Sequence, residues 1–392
     1  MRLHVRCLDI TSVERSLFEL ERMGLDPAGF RSLAPKQLHY NLKVEGLTGV
    51  QTAFIREDAS AAPSPVDVAS GASGPVILSG TLDALKSLVE RLKKRPETVD
   101  AAICLGTAVD NSRKNEFTVA ARGKDLKVGP STVVMGILNV TPDSFSDGGL
   151  FSDRVKAVER ALEMCEEGAD WIDVGGESTR PGAAPVDAKE ELKRVIPVVE
   201  ALCSRGLTVS IDTTKAEVAR QALAAGAAIV NDVSALSSDP AMAGVCAALG
   251  AGVVLMHMRG TPRTMQLDTV YGDVVGEVYG YLWSRVEWAV RNGIGRDRLM
   301  IDPGLGFGKS VEGNLRLVRD LREFKSIGLP LLVGPSRKSF IGAATGAGVE
   351  GRLSGTLAVS VVSVMNGANI LRVHDVKEAR QAAMVADAVM TS

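Results

Sequence analysis

Asp212, Asn231, Asp302 and Lys338 bring two carboxylates, an amide and an ammonium to a chain whose apolar runs stop at or near them. That set can hold a planar heterocycle carrying both donors and acceptors, such as a purine or a pterin. A second group, Asn139, Arg372 and His374, has the chemistry of an anion site: two cationic groups for phosphate oxygens, and a carboxamide oxygen able to ligate a hard cation. Together they point to a metal-bound diphosphate beside a flat ring. Zinc does not fit, because His257 and His374 come from distant strands and no cysteine falls at a strand end. Asp302-Pro-Gly-Leu-Gly-Phe-Gly-Lys309 is glycine-rich and basic, yet it lacks the G-x-x-x-x-G-K-[ST] spacing of a P-loop. Its glycines read as letting the backbone pass close to a ring, with Phe307 as a wall.

Such residues need a scaffold that gathers them. From Thr132 to Leu138 the chain has the continuous apolar character of a parallel strand covered on both faces; at Asn139 it becomes a small-residue loop that Pro142 and Gly148-Gly149 keep from continuing as strand or helix. The same rhythm recurs. Strands are expected at 132–138, 170–174, 207–211, 228–231, 252–256, 298–301, 330–333 and 369–373, followed by helices near 153–167, 187–204, 214–225, 239–249, 270–292, 311–324, 351–366 and 375–390. Eight β-α units over about 275 residues have the size of a (β/α)8 TIM barrel. A hairpin over 116–129, turning at Gly123, could cap its amino-terminal mouth. An open doubly wound sheet is disfavoured by the absence of G-x-G-x-x-G after the first strand. The strand ends carry Asn139, Gly175–Pro181, Asp212, Asn231-Asp232, His257, Asp302, Ser336–Lys338 and Arg372–His374, and in a barrel these converge. Asp212 and Asp375 also stand where a helix cap would, and Asp232 and His257 read equally well as structural groups.

With 392 residues the chain exceeds one barrel, so two domains are expected: a smaller α/β domain over 1–114 and the barrel over 115–392. The first reads as a strand around Leu3–Cys7, a helix capped by Ser12, a flexible loop at about 58–75, a strand at 76–79 and a helix at 82–94. Arg91, Lys93, Lys94 and Arg95 are read as complementing that helix's dipole rather than as a basic site. A net charge of -2 offers no electrostatic reason for a nucleic-acid or membrane partner. The five dispersed cysteines and the absence of a signal-peptide core or membrane-length apolar run lead to an expectation of a cytoplasmic protein.

At these residues the chain resembles dihydropteroate synthase. The matching segments are MGILNVTPDSFSDGG from Met135, DVGGESTRPGA from Asp173, DTTK from Asp212, ND from Asn231, MHMRGTP from Met256, DPGLGFGK from Asp302, SRKSFIG from Ser336 and RVHDV from Arg372. The resemblance covers 116–392 and implies the joining of 6-hydroxymethyl-7,8-dihydropterin pyrophosphate to p-aminobenzoate. It implies that Asp302 and Asn231 hold the aminopyrimidine edge, Lys338 the carbonyl side and Asp212 the reduced ring, with Val233, Met256 and Phe307 on the pterin faces. Asn139, Arg372 and His374 would bind the pyrophosphate with Mg2+, ligated by Asn139. Phe145, Thr179, Arg180, Pro181 and Ser339 would form the aminobenzoate pocket, and a homodimer through late barrel helices is expected. The first hundred-odd residues lie outside this resemblance. A pterin-binding methyltransferase needs no diphosphate site, and a catalytically silent pterin-binding paralogue needs no intact anion residues, so the residues present argue against both.

Overall fold

The computed structural model describes residues 8, 10–23, 33–61, 65–71, 74–141, 149–178 and 185–391. The chain divides into two compact units, Met1–Asn111 and Ser112–Ser392, so the first ends within the last turn of a helix, before the expected boundary at 114.

In the first unit, helix α1 (Val13–Arg22) follows Ser12, whose hydroxyl accepts from the Arg15 amide at 3.1 Å. Next come α2 (Ala34–Gln37), β1 (His39–Val44), α3 (Gly49–Ser60), β2 (Asp67–Ser70), β3 (Val76–Thr81), α4 (Leu82–Leu92) and α5 (Val99–Ser112). The strands form an antiparallel sheet in the order β1-β3-β2. Val76 and Leu78, alternating inward on β3, are buried against Leu82, Leu85, Leu88 and Leu92 at helical spacing on α4. The loop expected at about 58–75 is corrected here. Asp58 and Ala59 are buried at the end of α3, and β2 pairs along β3. An edge strand needs one neighbour and few buried residues, so its sparse apolar content did not reveal it. Residues 62–64 and 72–73, and the strand expected at Leu3–Cys7, lie outside the described residues. The basic cluster works within the unit: Arg91 donates to the carbonyls of Asp58 and Ala61, and Arg95 pairs with Glu57 and Asp58 over the Phe54 ring.

The second unit opens with the hairpin β4 (Phe117–Ala121) and β5 (Lys124–Val128), Gly123 taking φ +76 in its turn. The barrel strands are β6 (Val133–Asn139), β7 (Trp171–Gly175), β8 (Val209–Asp212), β9 (Ile229–Asp232), β10 (Gly252–Met256), β11 (Leu299–Asp302), β12 (Leu332–Val333) and β13 (Ile370–Val373). Around them run α6 (Gly149–Glu166), α7 (Ala188–Cys203), α8 (Ala216–Ala224), α9 (Met242–Leu249), α10 (Val274–Arg291), α11 (Val311–Arg319), α12 (Ser339–Thr345), α13 (Leu353–Met365) and α14 (Val376–Thr391). The strands are parallel in the order β11-β10-β9-β8-β7-β6-β13-β12, and a parallel bridge between Ile301 and Leu331 closes the ring.

Met135, Trp171, Ile229, Val254, Met300, Leu332 and Ile370 fill the barrel toward its amino end. Val119, Ala121, Leu126 and Val128 of the hairpin join them in one cluster, so the hairpin does cover that mouth. Each larger side chain buried there contributes about 1.5–3 kcal/mol at most. Several expected elements change in extent. Strand β12 has two residues rather than four, because Pro330 has no N–H for the ladder; its carbonyl still accepts from the Ile301 amide at 3.0 Å. Helix α11 stops at Arg319 and passes into a 3-10 segment, Leu321–Ile327, while α12 was not anticipated. Asn139, Asp212 and Asp302 prove to be the last residues of their strands rather than the first of the loops, which fixes their backbones in the ladder. No helix among the described residues is long and apolar enough to cross a membrane.

Candidate active site

The ladder sets the ring at one level. Asn139 is paired with Gly175, Gly175 with Asp212, Asp212 with Asn231, and Met256 with Asp302. Gly175 leaves the hollow open: a Cβ there would lie 3.6 Å from Asp212 Cβ and 3.9 Å from Asn139 Oδ1. Asp173, two residues earlier and fully buried, accepts at one oxygen from both Arg372 Nε at 2.6 Å and Asn231 Nδ2 at 3.0 Å. Arg372 also donates through Nη2 to Asp212 at 2.6 Å. Its guanidinium is therefore held in place by two carboxylates through Nε and Nη2.

Burial dominates the electrostatics. It pushes Asp212 up to about 7 against the pull of Arg372, with Asp173, Glu191 and Asp232 adding to the rise. For Arg372 burial works against the charge, but Asp173 and Asp212 outweigh it and leave the guanidinium firmly protonated. Asp302 is also raised by burial, opposed by the Gly304 amide that it accepts at 2.7 Å and by Lys338 and Lys309. Lys338 immediately precedes α12; burial of its ammonium, then Arg372, bring it down to about 8 against Asp302 and Asp212. The Lys338 ammonium lies 4.2 Å from the Phe307 ring centroid, a cation–π contact.

The loop after β11 is shaped by close approaches. Gly304 has φ +67 and passes so near the His257 carbonyl that a Cβ would sit 2.1 Å from its oxygen. Lys309, buried, donates to the carbonyls of His257, Gly304 and Phe307 at 3.1, 2.7 and 2.9 Å, spending all three protons on the backbone. Burial lowers its pKa well below the usual lysine range against the pull of Asp302, and its three carbonyl partners give it a structural use, not a phosphate-binding one. Phe307 thereby reaches Val233, Met256 and Met265 in one buried cluster, the apolar wall expected of three of these residues. Gln266 ties the Met265 turn to the same loop through the Gly306 carbonyl at 3.1 Å.

Of Asp232 and His257, open between two readings, Asp232 is held in a turn of its own and His257 is buried with its Nδ1 unpartnered among the described residues. Asp232 accepts from the Ser234 amide and hydroxyl and from the Leu236 amide, closing a turn, while His257 packs edge-on against Tyr281 and is pushed by burial down to about 2. Asp375 forms a two-pronged pair with Arg337 at 2.7 and 3.1 Å. His374 Nδ1 is 3.0 Å from Ser336 Oγ, which also accepts the His374 backbone amide. Ser339 is the exposed first residue of α12. Phe145, Thr179, Arg180 and Pro181 lie outside the described residues. Among the described residues no three His, Cys, Asp or Glu side chains are grouped to hold a metal. Asp173 was missed as a site residue, although an acid inside an apolar strand, Trp171-Ile-Asp-Val174, is a usable signal because burying a lone carboxylate is costly.

Comparison with known proteins agrees with this geometry. The family model described as "Pterin binding enzyme" matches residues 135–374. The dihydropteroate synthase of Escherichia coli (strain K12) is 50% identical over 260 residues, 66% of this chain and 92% of that protein. A probable bifunctional folylpolyglutamate synthase/dihydropteroate synthase of Halobacterium salinarum is 40% identical over 388 residues, 98% of this chain and 47% of that protein, so the likeness reaches across the first unit. The crystal structure of Burkholderia cenocepacia dihydropteroate synthase complexed with 7,8-dihydropteroate superposes with TM-score 0.65 at 39% identity, covering 71% of this chain and 98% of that one.

Proposed function

The chain belongs to the pterin-binding enzyme family, and from that membership we infer that its second unit is a transferase of folate biosynthesis. It condenses 6-hydroxymethyl-7,8-dihydropterin pyrophosphate with p-aminobenzoate, giving 7,8-dihydropteroate and pyrophosphate. The observation that carries this reading is the convergence of Asp212, Asn231, Asp302 and Lys338 at the barrel's carboxyl end beside the wall of Val233, Met256 and Phe307.

We assign the aminopyrimidine edge to Asp302 and Asn231, the ring carbonyl to Lys338 and the reduced ring to Asp212. Asn139, His374 and Arg372 take the pyrophosphate, Arg372 being held in place by Asp173 and Asp212. The electron-rich dihydropterin can carry positive charge on its methylene, so the C–O bond breaks with its electron pair leaving on the pyrophosphate before the amine lone pair forms the new C–N bond; the amine then loses a proton. Asp212 stabilises the passing cation through a low-dielectric, preorganised carboxylate. The aminobenzoate half of the site is assigned to Ser339 with Phe145, Thr179, Arg180 and Pro181.

The donor set fits Mg2+ held chiefly by substrate phosphates: Asn139 contributes one hard neutral oxygen and no carboxylate cage is present among the described residues. When bound, the cation would neutralise charge developing on the leaving pyrophosphate. A homodimer is part of the same proposal, supported by the apolar residues Met384, Val385 and Val389 that α14 exposes. A cytoplasmic setting is supported by Cys104, Cys165, Cys203 and Cys246 all being free thiols. The deciding assay is pyrophosphate release, expected only when the pterin substrate and p-aminobenzoate are both present; release independent of p-aminobenzoate would contradict the reading.

A further inference from the structure

We propose that Asp173 is a positioning residue that fixes the orientation of the Asn231 carboxamide and so decides which hydrogen-bonding pattern the site presents to the edge of the heterocycle. The inference rests on the pterin reading of the site. A carboxylate only accepts hydrogen bonds. The contact between Asp173 Oδ2 and Asn231 Nδ2 at 3.0 Å therefore commits the amide nitrogen to Asp173 and turns the carbonyl oxygen away from it. Without that partner an amide can rotate by a half turn and exchange donor for acceptor at the ligand, with little difference in shape to oppose it. Asn231 is buried on the β9 ladder, where its backbone cannot move to compensate.

The two oxygens of Asp173 are used unequally. Its Oδ2 also accepts from Arg372 Nε at 2.6 Å, so one oxygen orients two ring residues that come from β9 and β13. Its other oxygen, Oδ1, is buried with no hydrogen-bond partner in the protein. An orphaned buried acceptor is costly, so the bonds to Asn231 and Arg372 are made against that cost. Position 173 is also in the middle of β7, where the flanking Ile172 and Val174 are fully apolar and buried. The acid is thus explained by what it does to Asn231 and Arg372.

The test is calorimetric titration of 6-hydroxymethylpterin into the full-length wild-type chain, Asp173→Asn, Asn231→Ala and the double variant. Asp173→Asn is expected to weaken binding at least tenfold, and to cost markedly less in the Asn231→Ala background, because part of its effect acts through Asn231. The KM for p-aminobenzoate should stay within twofold in Asp173→Asn, a split that general loosening of the barrel would not produce. Unchanged pterin affinity in a folded Asp173→Asn chain, or additive losses in the double variant, would overturn the inference while leaving the functional reading intact. Absence of pterin binding by the wild type would overturn both. Should Asp173→Asn not fold, the side-chain amide of Asn231 in the wild type decides the matter by nuclear magnetic resonance. One slowly exchanging N–H is expected; two rapidly exchanging N–H protons would exclude the bond to Asp173.

Discussion

Lys338 offers the most direct test at the scale of a single residue. Its ammonium stands over Phe307 near Asp302 and Asp212, so Lys338→Ala removes a charged hydrogen bond to the ring carbonyl without emptying the core. Such bonds contribute about 1.5–3 kcal/mol, and kcat/KM is expected to fall at least tenfold with the thermal midpoint nearly unchanged. An undiminished kcat/KM would remove Lys338 from the site. The same residue sets a pH dependence. Asp212, raised to about 7, must be ionised to face a cation, which holds above that pH; Lys338, lowered to about 8, must be protonated to donate, which holds below it. The kcat/KM profile should therefore be a narrow bell between these values, reporting the coupled site as a whole, and Lys338→Ala should lose the alkaline limb. A flat profile across both values would contradict the assignment.

Among the elements, the loop after β11 is the one whose shape most depends on a single side chain. Lys309 satisfies three backbone carbonyls and so joins the end of β10 to the turn that carries Phe307. Replacing it by methionine keeps the stem but strands the His257 and Phe307 carbonyls in a buried place, while the Gly304 carbonyl keeps the Phe307 amide at 3.1 Å. Each unsatisfied group costs about 1–3 kcal/mol, partly recovered by water, so Lys309→Met is expected to lower stability by at least about 2 kcal/mol in urea unfolding. Pterin affinity should fall with it, because Phe307 loses its support. An unchanged urea midpoint would show that the carbonyls find other donors. The glycine spacing and Phe307 were readable as a ring-facing loop from sequence; the use of Lys309 was not, since its three partners come from positions 257, 304 and 307, joined only by the fold.

At the scale of the whole molecule, every proposed site residue belongs to the second unit, and none precedes Asn139. A chain shortened to begin near Asn115 is therefore expected to fold and bind 6-hydroxymethylpterin within about twofold of the full chain, as independent units tolerate separation. Loss of binding by a soluble, folded fragment would mean that the first unit completes the site. The proposed dimer is tested by sedimentation: the wild type should run as a dimer and a Met384→Glu/Val385→Glu chain as a monomer, because two charges cannot be buried unpaired in an apolar contact. A monomeric wild type at micromolar concentration would contradict the proposal.

The sequence by itself determined the barrel, because eight apolar segments at regular spacing can be covered only by the helices that alternate with them. It also determined most of the ring, since Asn139, Asp212, Asn231, Asp302, Lys338 and His374 announce themselves as polar residues at or beside strand ends. Tertiary structure decided what periodicity cannot encode. The sparse strand at Asp67–Ser70 exists because β3 is there to pair with it. Arg372 is turned toward Asp173 and Asp212, 199 and 160 residues away. Residue types state which bonds are possible; which partner each group takes is decided by the distances that closing the barrel imposes.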